Sequence, residues 1–309
     1  MEYKHLKSIL TRNIRYEIEC LCLEWKFIQE IRLRINQPLI LRYKNQERII
    51  NYPIQRTELQ EILQYISNYS LHAYENELRQ GFITIEGGHR VGMAGQVLVE
   101  DGKVKNMKHI SSINIRVSHE IKHCADAVMP YIVQNDQLYH TLIVSPPKCG
   151  KTTLLRDIVR QVSHVKNIGL VDERSEIAGC YQGIPQNDIG PKTDVLDGCP
   201  KTEGMLMLIR SMSPDVIAVD ELGGHHEVEA MKYAMHCGVK MLVTVHGESM
   251  EEIRRKPLFD QLVKEHCFER YIVLRNGKHI GEIAGIYNER GTLIYRGGNE
   301  SCQKLSEVC

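Results

Sequence analysis

The stretch that decides the fold of this chain is Leu142-Ile143-Val144-Ser145-Pro146-Pro147-Lys148-Cys149-Gly150-Lys151-Thr152-Thr153-Leu154-Leu155. It joins a short apolar run, a loop and a second apolar run, which predicts a strand, a turn and a helix in that order. Backbone N–H groups of such a loop and of the helix N-terminus converge on one point, where the helix dipole favours an anion. The stretch therefore predicts a phosphate-binding loop made of Ser145, Pro146, Pro147, Lys148, Cys149, Gly150, Lys151, Thr152 and Thr153.

Two residues of this loop have expected roles toward a nucleotide. Lys151 is expected to contact the β- and γ-phosphates, and Thr152 to hold Mg²⁺. The pattern G-x-x-x-x-G-K-[ST] is incomplete, because Ser145 stands where the first glycine is expected. Gly-Lys-Thr after an apolar run also fits an ordinary strand-to-helix turn, so the prediction needs support from a second motif.

The second motif is an apolar strand that ends in two carboxylates, Asp220 and Glu221. Asp220 is expected to hold Mg²⁺, and Glu221 to orient and polarise the water that attacks the γ-phosphate. A solvated acidic turn is the alternative. Because ligands of α/β proteins bind at the carboxyl ends of parallel strands, the two motifs together favour a nucleotide site.

Two further polar clusters follow apolar runs. They are Asp172-Glu173-Arg174-Ser175-Glu176 and Thr244-Val245-His246. Each also fits a capped turn. Four strands that all end in side chains suited to phosphate binding or catalysis indicate one shared site. The catalytic candidates in these clusters are Glu173, Glu176 and His246.

Short apolar strands alternate with helical stretches from residue 126 to about residue 290. This pattern predicts an α/β domain with a parallel-sheet core covered by helices. Its expected strands include Thr141–Ser145, Ile168–Asp172, Val216–Asp220 and Met241–Val245. A helix start capped by Ser249 is expected after the last of them, followed by a hairpin around Asn276-Gly277. Residues 291–309 are expected to form a loosely ordered polar tail.

Residues 1–125 predict a smaller α+β domain at the N-terminus. Ile31–Ile35 alternates aliphatic and arginine side chains, so a strand there would place Arg32 and Arg34 on one face. Thr57 and Gln60 are expected to cap a helix that continues to about Tyr69. Further strands are expected at Phe82–Glu86, Val91–Val99 and Ile113–Val117.

The composition excludes several classes of protein. A chain of 309 residues is long enough for two domains, and its 39 Lys and Arg residues equal its 39 Asp and Glu residues. No net charge therefore attracts nucleic acid or an anionic membrane. No apolar run reaches the roughly 18–20 residues of a membrane span, and no apolar segment follows the charged start as in a secretory signal. We expect a cytoplasmic protein whose ten cysteines are reduced.

Two histidine motifs carry less weight. His119-Glu120-Ile121-Lys122-His123 matches the H-E-x-x-H zinc motif, but it begins at the end of a predicted strand, and no obvious third ligand follows at the spacing typical of zinc proteases with this motif. A polar connector between domains is expected there instead. His225-His226 follows two glycines and is expected to start a helix.

The four motifs occur in the order of the Walker A motif, Asp box, Walker B motif and His box, and in this they resemble secretion and pilus-motor ATPases. More closely, several segments resemble the stage III sporulation protein AA family, over about residues 28–287. These segments are Glu30–Arg34, Gly88–Gly92, Ile110–Arg116, Asp172–Ala178 and Val219–Gly223. The resemblance implies a RecA-like fold and a cytoplasmic ATPase that uses ATP and Mg²⁺. Its implied partners are membrane-embedded components of a sporulation channel complex between mother cell and forespore.

The resemblance also implies a homo-oligomeric ring, in which nucleotide lies between the RecA-like domain and arginines of the N-terminal domain. Arg90 and Arg116 would then stabilise charge on the leaving phosphate across an interface. Surface salt bridges on their own strands are the alternative. Arg210 matches an arginine that precedes the Walker B motif in these motors, and it is expected to sense the state of the nucleotide.

The leading interpretation is an Mg²⁺-dependent ATPase motor docked on a membrane complex. One alternative is a RecA-like ATPase that acts on nucleic acid. The zero net charge and the lack of interleaved aromatic and basic residues weigh against it, although Arg32 and Arg34 leave room for it. The other alternative is a nucleotide-binding scaffold with little turnover, which the departures from glycine at Ser145 and Lys148 keep open.

Overall fold

A computed structural model of the chain describes residues 3–66, 81–100, 102–277 and 281–298, with the side chain of Lys103 left out. The chain divides into two compact units. Unit 1 comprises residues 3–119 together with Gly179–Gln186, and unit 2 comprises Glu120–Ala178 and residues 187–298. Within the ranges described, no helix is both long enough and apolar enough to cross a membrane.

Unit 1 is built on a six-stranded antiparallel sheet. Its strands are β1 (Ile28–Arg34), β2 (Pro38–Tyr43), β3 (Gln46–Pro53), β4 (Phe82–Ile85), β5 (His89–Glu100) and β6 (Lys103–Arg116). They follow the order β3-β2-β1-β6-β5-β4. The helices of the unit are α1 (Lys4–Ile9), α2 (Arg12–Glu19) and α3 (Arg56–Ile66), with a 3₁₀ turn at Trp25–Phe27.

The two faces of this sheet differ because apolar and polar residues alternate along its strands. Ile31 and Leu33 are fully buried in one cluster with the apolar residues of the three helices. On the other face, Arg32 and Arg34 line the same depression. The prediction that the two arginines share a surface is therefore confirmed.

Helix α3 begins one residue before the predicted cap. Glu58 reaches back to accept a hydrogen bond from the backbone N–H of Gln55 at 3.0 Å, so Gln55, and not Thr57, takes the cap position before the first helical residue, Arg56. The expected cap at Thr57 is wrong, because the buried Glu58 also accepts a hydrogen bond from the hydroxyl of Tyr52 at 2.7 Å. The expected end near Tyr69 lies outside the described residues.

Unit 2 contains an eight-stranded sheet. Its strands are β9 (Thr141–Ser145), β10 (Ile168–Asp172), β11 (Thr193–Asp197), β12 (Val216–Val219), β13 (Lys240–His246), β14 (Arg270–Leu274), β15 (Ile283–Asn288) and β16 (Leu293–Arg296). Their order is β11-β10-β12-β13-β9-β14-β15-β16. The first six are mutually parallel, and β15 and β16 extend the sheet in antiparallel fashion. Val133–Gln134 (β7) and Gln137–Leu138 (β8) form a separate ribbon.

Six helices accompany this sheet among the described residues. They are α4 (Met129–Ile132), α5 (Lys151–Val162), α6 (Lys201–Ser211), α7 (His225–His236), α8 (Met250–Arg255) and α9 (Pro257–Lys264). Helix α7 starts at His225 as predicted. The hydroxyl of Ser249 accepts the N–H of Glu252 at 3.2 Å, which confirms the predicted cap of α8.

The end of the chain differs from the sequence prediction. The predicted hairpin is present as the antiparallel pair β14–β15, although residues 278–280 near its turn lie outside the described part of the chain. Leu293–Arg296 forms strand β16 on the edge of the sheet, where a loosely ordered tail is predicted. The ring of Tyr295 packs 5.2 Å from that of Tyr131, so an aromatic contact adds to the strand pairing. The tail residues from 299 onward are not described.

Helix α6 and strand β10 approach each other closely at two glycines, because each element presents one glycine to the other. A Cβ on Gly169 of β10 would lie 2.8 Å from Leu208 of α6, and a Cβ on Gly204 of α6 would lie 2.6 Å from Val171 of β10. Such distances leave no room for a methyl group. The two glycines therefore fix how near α6 approaches the sheet.

Gly204→Ala is expected to lower the free energy of unfolding by about 1–3 kcal/mol, since the added methyl group forces α6 and β10 apart. Chemical denaturation followed by circular dichroism measures this change. Met207→Ala, at a half-exposed position of the same helix, is the control. Wild-type stability of Gly204→Ala would contradict the close approach.

Candidate nucleotide-binding site

The loop between β9 and α5 turns sharply through two left-handed residues. Gly150 has φ +88°, and Lys148 has φ +62°. Lys148 thus adopts a conformation that favours glycine, at a cost of roughly 1–2 kcal/mol. Cys149 between them is buried, and its Sγ donates to the carbonyl of Pro147 at 3.5 Å. The loop is held in its turn despite the missing glycines.

Helix α5 begins directly after this turn, at Lys151. Its first N–H groups, including those of Lys151, Thr152 and Thr153, have no acceptor within the helix. They point out of the N-terminal end of the helix, where the helix dipole is positive. This end of α5 can therefore bind an anion, as the sequence predicts for a phosphate.

An ion pair joins the loop to the segment that directly follows strand β12. The ammonium group of Lys151, whose side chain is 9% exposed, donates a hydrogen bond to Oε1 of Glu221. Nε2 of His246 lies 2.9 Å from the same oxygen, and Nη1 of Arg174 lies 3.1 Å from Oε2. The carboxylate of Glu221 is thus surrounded by three basic side chains.

These neighbours set the protonation state of Glu221. Burial alone raises the pKa of Glu221, but the hydrogen bond from Lys151 and the charges of Lys151, His246 and Arg174 outweigh it. The net pKa lies below the usual value of a glutamate. Glu221 is therefore an anion at neutral pH, and so able to accept a hydrogen bond from water.

The carboxylate of Asp220 accepts hydrogen bonds from two hydroxyl groups. Oγ1 of Thr152 donates to Oδ2 of Asp220 at 2.7 Å, and Oγ1 of Thr244 donates to Oδ1. A hydroxyl and a carboxylate are ligands that Mg²⁺ prefers in proteins. The two predicted metal ligands, Thr152 and Asp220, thus lie together and fit that ion.

Thr244 also fixes the backbone of Glu221, the residue that follows Asp220. Its Oγ1 accepts the N–H of Glu221 at 2.9 Å, and Thr244 is fully buried. Glu221 has φ +58°, a left-handed conformation that a residue with a side chain keeps only when its surroundings hold it. Thr244 therefore positions both carboxylates that follow β12.

Asp172 organises the turn after β10. It accepts backbone hydrogen bonds from Glu176 at 2.8 Å, Ile177 at 3.0 Å and Ala178 at 2.8 Å. Burial raises the pKa of Asp172, although these hydrogen bonds act in the opposite direction. Its oxygens are occupied by the backbone, so Asp172 shapes the loop that carries Glu173 and Glu176.

Arg156 of α5 holds the other side of this turn. It is buried and donates to the carbonyl of Ile177 at 2.6 Å and to that of Glu176 at 2.7 Å. Burial lowers the pKa of Arg156, and the charges of nearby carboxylates oppose that change. The turn is thereby fixed to the helix that begins at the phosphate-binding loop.

The structure brings most of the predicted catalytic residues together. Glu173, Glu176, Asp220 and Glu221 line one pocket, together with Asp172, Arg174 and Lys201. Lys151, Thr152 and His246 join it through their contacts with the two carboxylates that follow β12. The prediction of one shared site remains a hypothesis about function, but these side chains do meet at one edge of the sheet.

Three predicted arginines are not among the residues that line this pocket. Arg210 is exposed in the last turn of α6, nine residues or about 13 Å along the helix from Lys201. Arg90 and Arg116 belong to unit 1, where they face each other on β5 and β6. The guanidinium of Arg90 lies 4.4 Å from the centre of the Phe82 ring. Arg116 is exposed and forms no ion pair with the residues that the structure describes.

The H-E-x-x-H segment does not have the geometry of a zinc site. Residues 119–123 form no helix, and His123 has φ +67°. Nε2 of His119 instead lies 2.9 Å from the carbonyl oxygen of Ile28. The two histidines are therefore not one helical turn apart, as the motif requires.

Sequence reasoning assigned no role to Thr244, Arg174, Arg156 or Lys201. The position of Thr244 could have indicated its role, because it lies two residues before His246 in β13 and so shares a face of that strand with His246. Arg174 stands inside a cluster that was already singled out. Lys201 contacts residues more than 25 positions away, which no local pattern could indicate.

Sequence comparison matches the chain to one family over most of its length. The sequence profile described as sporulation stage III, protein AA matches residues 2–294. Stage III sporulation protein AA of Bacillus subtilis (strain 168) is 44% identical over 279 residues, which cover 88% of this chain and 91% of that protein.

Structural comparison finds the same architecture in ATPases. The Legionella pneumophila ATPase DotB superposes with a TM-score of 0.57 at 14% identity, covering 89% of this chain and 80% of that one. The pilus retraction motor PilT with bound ADP gives a TM-score of 0.57 at 14% identity, covering 95% and 85%. At this identity the likeness concerns the fold, which is RecA-like with a preceding N-terminal domain.

Asp172→Asn is expected to lower the free energy of unfolding by about 1.5–3 kcal/mol, since an amide NH₂ cannot accept the backbone N–H groups that the second oxygen binds. Urea denaturation measures the loss. The exposed Asp194, changed to Asn in the same sheet, is the matched control. A loss no greater than that of Asp194→Asn would show that the turn does not depend on Asp172.

Proposed function

The chain belongs to the stage III sporulation protein AA family, and we propose that it is an Mg²⁺-dependent ATPase motor. In this proposal its hydrolysis energises a secretion-like channel complex between mother cell and forespore during endospore formation. The observation that carries the proposal is the meeting of Lys151, Thr152, Asp220 and Glu221 at one edge of a RecA-like sheet. The printed descriptions of DotB as an ATPase and of PilT as a motor with bound ADP support nucleotide use by this fold.

Binding of ATP is assigned to the loop and to the start of α5. The N–H groups of the first helical turn bind the phosphates, and Lys151 contacts the β- and γ-phosphates. Thr152 and Asp220 hold Mg²⁺, which neutralises charge on the phosphate oxygens when it is bound. Because Lys151 is bonded to Glu221, phosphate oxygens compete with that carboxylate for the ammonium group.

Activation of the water is assigned to Glu221. Its lowered pKa keeps it ionised, so it can accept a hydrogen bond from the attacking water and thereby orient and polarise that water. His246 and Arg174 hold the carboxylate at its two oxygens. Glu176 lines the same pocket, and Glu173 is bonded to Lys201 at 2.5 Å.

The ring and its partners are the finer part of the proposal. Arg90 or Arg116 of one subunit would approach the phosphates of a neighbouring subunit and stabilise charge on the leaving group. The exposure of Arg116, with no ion pair among the described residues, supports that role over a surface salt bridge. Arg210 would report the nucleotide state from the far end of α6. The ring would dock on membrane-embedded components of the channel.

Lys151→Ala is expected to weaken ATP binding by roughly 10–150-fold, because it removes a charge-assisted interaction worth about 1.5–3 kcal/mol. Calorimetric titration with ATP and Mg²⁺ measures the dissociation constant, and circular dichroism verifies the fold. Lys192→Ala removes an exposed lysine of unit 2 and should bind ATP as the wild type does. Equal affinity of Lys151→Ala and wild type would refute the phosphate-binding loop.

Glu221→Gln is expected to bind ATP while its turnover falls about 10²–10⁴-fold, because the amide keeps the shape but loses the basicity of the carboxylate. Phosphate release at saturating ATP measures turnover. Glu229→Gln changes an exposed glutamate of α7 and serves as the control. Wild-type turnover of Glu221→Gln would move the catalytic role to Glu176 or Glu173.

A further inference from the structure

One lysine joins three segments around the site. Lys201 is the first residue of α6, and its side chain is only 11% exposed. Its ammonium group lies 2.5 Å from Oε2 of Glu173, in the turn after β10. It also lies 3.5 Å from Oε1 of Glu227, in the first turn of α7. Lys201 thus holds two carboxylates that come from different strand–helix connections.

Glu227 also binds the loop that follows Glu221, and so links that loop to Lys201. Its other oxygen, Oε2, accepts the N–H of Gly223 at 2.8 Å and the N–H of Gly224 at 3.1 Å. These glycines stand two and three positions after Glu221. One carboxylate therefore connects Lys201 to the backbone that leaves the proposed catalytic residue.

That backbone needs such a constraint. Glu221 has φ +58°, and this left-handed conformation persists only when the surrounding structure holds it. On one flank, Thr244 binds the N–H of Glu221 with its hydroxyl and the N–H of Leu222 with its carbonyl, each at 2.9 Å. On the other flank, Glu227 binds the two glycines. Without Lys201, Glu227 and Glu173 would be left as neighbouring anions with no cation between them.

We propose that Lys201 is a positioning residue, which sets the orientation of the Glu221 carboxylate through Glu227 and links it to the turn that carries Glu173. The inference rests on the proposed function for the role of Glu221. The contacts themselves do not depend on it. Lys201 does not touch the reacting atoms, so it acts on the geometry of hydrolysis and not on the affinity for ATP.

The test compares Lys201→Met with Lys201→Arg in the full chain. Lys201→Met is expected to lower kcat by about 10–100-fold with an unchanged KM for ATP, because a displaced carboxylate orients water poorly. Lys201→Arg keeps the positive charge and should restore most of kcat. Lys232→Met removes a lysine that pairs with Glu265 on the surface, and it is the matched control.

Hydrogen exchange tests the contacts independently of activity. Without nucleotide, amides of residues 222–228 should exchange faster in Lys201→Met than in the wild type, and Lys201→Arg should restore their protection. Glu227→Gln combined with Lys201→Met should add little to the loss of kcat, since both act through one network.

The outcomes separate the inference from the proposed function. Unchanged kcat in Lys201→Met, or a raised KM with unchanged kcat, would overturn the positioning role. Unchanged exchange at residues 222–228 would overturn the network itself. A wild-type protein that binds but does not hydrolyse ATP would overturn the proposed function, and the exchange measurement would still decide whether Lys201 holds the loop.

Discussion

The ion pair between Lys151 and Glu221 is the interaction on which the arrangement of the site depends. Two charges that are mostly removed from water are tolerated only when each is compensated, because the desolvation of a lone charge costs several kcal/mol. Glu221 is compensated by Lys151, His246 and Arg174. Every one of these partners comes from a different segment, so the pair constrains the phosphate-binding loop, the Asp172 turn and strand β13 at once.

The strand order explains why these segments meet. Strand β13 lies between β9 and β12, which places Thr244 and His246 beside both the loop and the two carboxylates. Thr244 uses this position to bind Asp220 and the backbone of Glu221. A chain in which β9 and β12 were direct neighbours would lack this inserted hydroxyl. The order of the parallel strands thus brings these segments together, and the contacts between charged side chains hold them in place.

Local patterns predicted much of this molecule, and their limits have physical reasons. Strands β9 and β10 have the predicted bounds, because short buried apolar runs end where a polar cluster begins. The cap of α3 was misplaced because Glu58 is held by Tyr52 as well as by the backbone. Strand β16 was missed because its pairing with β15 stabilises a segment whose own residues are largely exposed. Lys201 was missed since its partners are distant in sequence.

The position of Lys201 is nevertheless determined by residues that a sequence contains. Gly169 and Gly204 bring α6 close to β10, and Asp172 at the end of β10 shapes the turn that carries Glu173. The positions of Lys201 on α6 and of its partner Glu173 therefore both depend on strand β10. A change in the distance between α6 and β10 would therefore alter the Lys201–Glu173 contact. In unit 2, the packing of α6 against β10 therefore also determines part of the geometry of the site.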